Sequence, residues 1–153
     1  MLELETGSAE ATQRLAERIG GIVAGPLLIL LSGDYGTGKT TFVQGLARGL
    51  GISSVVRSPS YNIMKRYEGG RLPLVHADLY RTAGEADIEE LGLIEETAEG
   101  ILAVEWPKRD LPAQLGLPWL HIEFRQGNGD ADRRVLLLSW EDEVATVLGG
   151  MLG

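Results

Sequence analysis

Cysteine is absent from the 153 residues. That excludes disulfides, thiolate-held iron–sulfur clusters, Cys-bearing zinc sites and thiol nucleophiles. Histidine is scarce, with only His76 and His121, too few for a His-built metal site. Positive charge is in deficit: 14 basic residues face 22 acidic ones, for a net charge of −8. That sign disfavours tight binding to DNA or RNA by this chain alone. Long apolar runs are missing too, and none approaches the ~20 residues that cross a bilayer. The N-terminus, Met1-Leu2-Glu3-Leu4-Glu5, has no basic-then-apolar export signal. Repeats, low-complexity tracts and Pro/Ser-rich linkers are lacking as well. The expectation is one cytoplasmic domain over residues 1–153, without membrane or DNA.

What is present reads as alternating strands and helices. Ser8 to Ile19 predicts a helix, capped by Ser8 or Thr12, with Ala11, Leu15, Ala16 and Ile19 at helical spacing. Leu27-Leu28-Ile29-Leu30-Leu31 is a short uninterrupted apolar run behind Pro26. It fits a strand covered on both faces, as in a parallel sheet. A helix follows from about Lys39 to Leu50, ended by Gly51. Tyr61 to Tyr67 and Arg71 to Leu79 predict two strands joined at Glu68-Gly69-Gly70. Glu85 to Leu91 predicts a short acidic helix. Further strands are expected at Ile101 to Val104, Trp119 to Phe124 and Val135 to Trp140, with a last helix over Glu141 to Leu148. The class is α/β, mostly parallel with some antiparallel pairing.

Between the first apolar strand and the second helix lies Gly33-Asp34-Tyr35-Gly36-Thr37-Gly38-Lys39-Thr40. It matches G-x-x-x-x-G-K-[ST] at every fixed position, in the strand–loop–helix setting that the phosphate loop requires. Glycines let the backbone turn its N–H groups inward. Those groups and the helix N-terminus form a cup of partial positive charge for phosphate. Lys39 is expected to reach the β- and γ-phosphates, Thr40 to ligate Mg²⁺, and Thr41 to add a hydroxyl near the α-phosphate.

A phosphate loop needs a carboxylate to hold or orient hydrated Mg²⁺, usually at a strand end. Asp78 and Glu105 each end an apolar strand, and either could serve. The seven acids from Glu85 to Glu99, with no base among them, read better as a solvated face or partner surface. Arg57-Ser58-Pro59-Ser60-Tyr61 is either a stiffened hydroxyl turn over the γ-phosphate or an ordinary turn. Arg48, Arg57, Lys65, Arg66, Arg71 and Arg81, against only Glu68 and Asp78, form a local basic zone. It suits nucleotide phosphate, RNA or an acidic partner, or is a solvated hairpin. His76 reads as a packed or hydrogen-bonded strand residue rather than a base. Trp106 is either a core side chain or one folded over the site. His121, Trp119 and Trp140 read as structural.

Together these blocks resemble the TsaE (YjeE-like) family, the small ATPases of the bacterial pathway that places threonylcarbamoyl on adenosine 37 of certain tRNAs. The resemblance spans nearly the whole chain. The family's phosphate loop resembles Gly33 through Thr41, and its Ser-Pro-Thr-Phe segment corresponds to Ser58-Pro59-Ser60-Tyr61. Ser60 keeps the hydroxyl there and Tyr61 the ring. The His-x-Asp-Leu-Tyr-Arg block appears as His76-Ala77-Asp78-Leu79-Tyr80-Arg81. Glu89-Glu90-Leu91-Gly92-Leu93 comes next, then Glu105-Trp106-Pro107. The phosphate loop is generic, but its combination with these later blocks is specific.

The resemblance implies a P-loop NTPase-type three-layer sandwich that binds ATP with Mg²⁺ and hydrolyses it slowly alone. It implies partners of the TsaB and TsaD type, with tRNA met indirectly through their complex. It places Mg²⁺ on Thr40 and Glu105, with Asp78 close to the metal and the attacking water. It sets Ser8 and Thr12 near the adenine, and Arg133 near the nucleotide from the C-terminal strand. Lys39, Asp78 and Glu105 are thus the expected catalytic groups. The rival class is a small-molecule P-loop kinase, but the acidic stretch stands where an Arg-rich lid would follow Asp78. A GTP switch would carry Asn-Lys-x-Asp, which does not occur. A non-catalytic ATP sensor is a third reading.

Overall fold

The computed structural model describes residues 1–34, 36–58, 64–80, 92, 99–107, 111–129 and 131–152. In chain order the elements are β1 (Leu2–Thr6), α1 (Ala9–Ile22), β2 (Leu27–Gly33), α2 (Lys39–Gly49), β3 (Met64–Tyr67) and β4 (Leu74–Asp78). Then come β5 (Ile101–Glu105), α3 (Leu111–Leu115), β6 (Trp119–Gln126), β7 (Arg134–Trp140) and α4 (Asp142–Leu152). One seven-stranded sheet runs in the order β1-β7-β6-β2-β5-β4-β3. Its centre, β6-β2-β5-β4, is parallel, while β1, β7 and β3 join antiparallel at the flanks. The expected α/β class with a parallel centre is what the chain adopts.

The apolar run of β2 has no polar interruption because both its faces are covered. Leu27, Ile29 and Leu31 join a core with Ile19 of α1, Phe42, Val43 and Leu46 of α2, and Val144 and Leu148 of α4. Leu28 and Leu30 point the other way, to Val75, Leu102, Val104 and the α3 residues Leu111 and Leu115. Each such buried aliphatic or aromatic side chain contributes roughly 1.5–3 kcal/mol.

Helices α1 and α2 pack at backbone distance. A Cβ on Gly45 would lie 2.2 Å from the Gln13 carbonyl oxygen, and one on Gly49 would lie 2.1 Å from that of Glu17. These glycines are therefore packing residues. The pair sets α2 across the end of β2, which is where the site is built.

Several boundaries differ from the sequence reading. Strand β1 was not anticipated, although Leu2, Leu4 and Thr6 alternate with Glu3 and Glu5, the period of a half-buried strand. The five-residue α3 was also missed, being too short for helical periodicity to register. The strand expected from Arg71 begins only at Leu74, since Pro73 has no N–H to give a ladder. The strand expected from Tyr61 is seen from Met64. The last helix runs from Asp142 to Leu152. Gly51 does close α2 with a positive φ of 81°. Tyr35, Pro59, Ser60, Tyr61, Arg81 and the acidic helix expected over Glu85 to Leu91 lie outside the described residues.

Candidate functional site: a cleft over the glycine-rich loop

The loop after β2 turns directly into α2. Gly38 caps that helix with no side-chain bond, in the left-handed conformation at φ 104°, a shape that costs an L side chain energy. The first helical bond is Phe42 N–H to Gly38 O at 2.9 Å. The amides ahead of it are free of helical acceptors and carry the positive end of the helix dipole. A cleft of about 330 Å³ opens over them. Gly36, Gly38, Lys39, Thr40 and Thr41 form its floor, Asp78, Glu105 and Trp106 one wall, and Ala9, Thr12, Ser58, Asp132 and Arg134 the remainder.

Lys39 is buried. Its Nζ donates to the carbonyls of Gly33 at 2.5 Å and Asp34 at 3.2 Å. It also sits 3.8 Å from the centroid of the Trp106 ring, a cation–π distance. Burial pushes the ammonium pKa below its usual 10.5, and Glu105, Asp78 and Asp34 pull it back up in part. A bound polyphosphate would act in the same upward direction.

Thr40 Oγ1 donates to Glu105 Oε2 at 2.9 Å. Glu105 is buried at the end of β5, and the same Oε2 lies 2.5 Å from His76 Nε2. Asp78 pairs with Glu105 in the β4–β5 register. It is less buried, and its Oδ1 accepts from Tyr80 N–H at 2.9 Å. Strand alternation explains the grouping. His76 and Asp78 share a face with Leu74, and Glu105 shares one with Ile101 and Ala103; both belong to the α2 side. Sequence blocks 27 residues apart, 78 and 105, thus meet in front of Thr40.

Trp106 is folded over the site. Its φ of 56° is the one positive value among described non-glycine residues, and its N–H donates to Leu31 O at 3.1 Å. The ring packs against that of Tyr80, with centroids 5.0 Å apart and the planes tilted by 58°. Thr12 lines the cleft through α1 and bonds Thr6 Oγ1 at 2.7 Å. Ser8 caps α1, accepting from Ala11 N–H at 3.1 Å, and is not among the cleft-lining residues.

Arg133, expected near the nucleotide, is instead 3.9 Å from Glu5 across the β1 edge. Its neighbour Arg134 is the one at the cleft. Arg134 Nε donates to Thr37 O at 3.1 Å and its Nη2 to Gly36 O at 3.3 Å, while Nη1 donates to the carbonyls of Ala131 and Arg133. It staples the β6–β7 turn to the glycine loop. The sequence held a signal for this: buried Leu136 and Leu138 are even-numbered, so Arg134 shares their face and Arg133 does not.

A loop between a central parallel strand and a helix, at the carboxyl end of the sheet, is the arrangement of the P-loop nucleotide-binding class, and this chain is of that class. The family model "Threonylcarbamoyl adenosine biosynthesis protein TsaE" matches residues 6–135. The chain belongs to the TsaE family. It is 42% identical over 110 residues to the tRNA threonylcarbamoyladenosine biosynthesis protein TsaE of Aquifex aeolicus, covering 71% of this chain and 78% of that one. It is 38% identical over 135 residues to the Bacillus subtilis protein of the same name, covering 88% and 83%. The crystal structure of Bacillus subtilis YdiB superposes with a TM-score of 0.75 at 29% identity, over 97% of this chain and 92% of that one. No helix among the described residues is long and apolar enough to cross a membrane.

Proposed function

We propose that this chain, as one cytoplasmic domain over 1–153, binds ATP with Mg²⁺ and hydrolyses it in the threonylcarbamoylation of tRNA adenosine 37, acting on a complex of TsaB and TsaD type subunits. The observation that carries the reading is the Thr40–Glu105 bond at 2.9 Å in front of a buried lysine at the mouth of the glycine loop. The family membership supplies the pathway, and the names of the relatives agree with it.

The donor set fits magnesium. A hydroxyl and a carboxylate are hard oxygen ligands, and Mg²⁺ is commonly held by one or two carboxylates plus phosphate oxygens and water. Among the described residues no group of three or more His, Cys, Asp or Glu could form an all-protein cage. Thr40 and Glu105 would hold the ion, with Asp78 beside them. Bound there, it would neutralise charge on the β- and γ-phosphates.

The chain's own groups do the rest. The amides of Gly36 to Thr41 and the Lys39 ammonium cradle the triphosphate and stabilise charge as the γ-phosphoryl group leaves. Asp78, more open than Glu105, orients the attacking water. Trp106 shields Lys39 from solvent. Thr12 faces the nucleoside end, with Ser8 and Arg133 set further out; Tyr35 and Ser60 are candidates for nucleotide contact on the sequence alone. Arg57 and Arg81 are the chain's own candidates for an arginine finger; a partner is the alternative source.

The test is reconstitution with TsaB, TsaD and tRNA, measuring ATP turnover and threonylcarbamoylation with and without this chain. Both should depend on it, and Lys39→Ala should abolish both. A Lys39→Ala protein that turns over ATP like the wild type would sink the assignment.

A further inference from the structure

His76 has no task in the mechanism above, yet it is fully buried within the site. It stands on β4 opposite Ala103 of β5 and Lys65 of β3, two residues before Asp78 on the same face. Its Nε2 is 2.5 Å from Glu105 Oε2, the oxygen that also accepts from Thr40 at 2.9 Å. Its Nδ1 is buried and finds no hydrogen-bond partner among the described residues. That asymmetry selects a tautomer. A proton on Nδ1 would bury a donor without an acceptor, which costs more than an unfilled lone pair. The proton therefore sits on Nε2 and points at the carboxylate.

We infer that His76 is a positioning residue whose Nε2–H pins Glu105 Oε2 from the core side, so that the carboxylate meets the Thr40 hydroxyl and presents oxygen to a divalent cation shared between them. The inference rests on the proposed reading of Thr40 and Glu105 as the metal-side pair. A strand-end carboxylate held only by Thr40 would lose its anchor whenever that hydroxyl turned to a cation; His76 keeps it in place. Outer-sphere partners of this kind typically carry 10–100-fold in metal affinity.

The test has two arms. In the nucleotide-free protein, nitrogen-15 NMR of the imidazole should show the Nε2-protonated tautomer, with a strongly downfield Nε2–H signal that moves upfield in Glu105→Gln. An Nδ1-protonated ring, or a signal indifferent to Glu105→Gln, would overturn the inference. In the second arm, calorimetry measures ATP affinity in magnesium and in EDTA. His76→Leu should lose about tenfold of the magnesium-dependent gain, while its affinity in EDTA stays within about twofold of wild type. His76→Gln, whose amide can donate from close to the Nε2 position, should recover most of the loss. His76→Asn, whose amide stops short, should not, and it replaces His76→Leu if the apolar variant fails to fold. A purely packing role predicts the wild-type magnesium gain in His76→Leu or His76→Asn, or equal losses in Asn and Gln; either overturns the proposal. Wild-type protein that binds ATP no better with magnesium than with EDTA overturns the metal reading itself and this role with it, and that result is seen before any variant is made.

Discussion

Strands β4 and β5 show two unlike faces made from alternate residues of the same ten positions. Toward α2 they present Leu74, His76, Asp78, Ile101, Ala103 and Glu105; toward α3 they present Val75, Ala77, Leu102 and Val104. The α3 face is apolar throughout. The α2 face is apolar at the start of each strand and polar at its end. The difference teaches where chemistry can sit on a buried sheet. A carboxylate inside a core costs more than it returns unless it is paired. Glu105 is paired twice, with Thr40 in the first turn of α2 and with His76 on the neighbouring strand β4. On the opposite face of these two strands the residues Val75, Ala77, Leu102 and Val104 are all apolar.

The sharpest way to break the comparison is to exchange what each face carries. Glu105→Ala should lower ATP turnover in the reconstituted complex by about 10²–10³-fold, the scale of one preorganised electrostatic group. Steady-state turnover within about twofold of wild type would mean that the polar end of the face has no part in the reaction. Leu102→Ala, on the other face, should cost about 3 kcal/mol of stability by urea unfolding, as a fully buried leucine leaves a cavity. Its ATP affinity per folded molecule should be unchanged within about twofold. A large change in affinity would show that the two faces are coupled rather than separate.

A smaller effect sharpens the contrast at β6. His121 lies on the α3 side of the sheet with Ser32 Oγ 2.7 Å from its Nε2. Burial pushes its pKa below 6.5, against a weaker upward pull from Glu123. The unfolded chain then takes up the proton more readily than the fold. Stability is complete above about pH 6.5 and is lost as pH falls from there toward the lowered folded value. His121→Gln should flatten this slope slightly when urea midpoints at about pH 7.5 and pH 5.5 are compared. An unchanged slope would assign the acid sensitivity to other groups.

The glycine loop was legible in the sequence because its conformation is local. Fixed glycine positions, a lysine and a hydroxyl, set between an apolar run and an amphipathic helix, leave few other shapes available. The parallel centre of the sheet followed from Leu27 to Leu31, a five-residue apolar run bounded closely by Pro26 and Gly33, which suits a strand covered on both sides better than a turn of buried helix. The alternation in Leu2-Glu3-Leu4-Glu5-Thr6 has the period of a half-buried strand, but five residues is a short run for that period to stand out.

Other features depended on distance in space. Asp78 and Glu105 were equal candidates along the chain. They part only in the fold, where Glu105 is buried against Thr40 and His76, and Asp78 is turned toward Tyr80 N–H and the open cleft. Arg133 and Arg134 are neighbours of the same chemistry, and the side of β7 on which each emerges decides which one grips the loop.

The sequence by itself determined the class of the fold, the phosphate loop and the stock of groups beside it, because those follow from backbone conformation and hydrophobic period over a few residues. Only the tertiary structure decided which carboxylate meets the threonine, which arginine holds the loop, and that a histidine with no evident role stands behind the site. Those outcomes rest on strand register and on which face each side chain takes, and a one-residue change of either would rearrange them all.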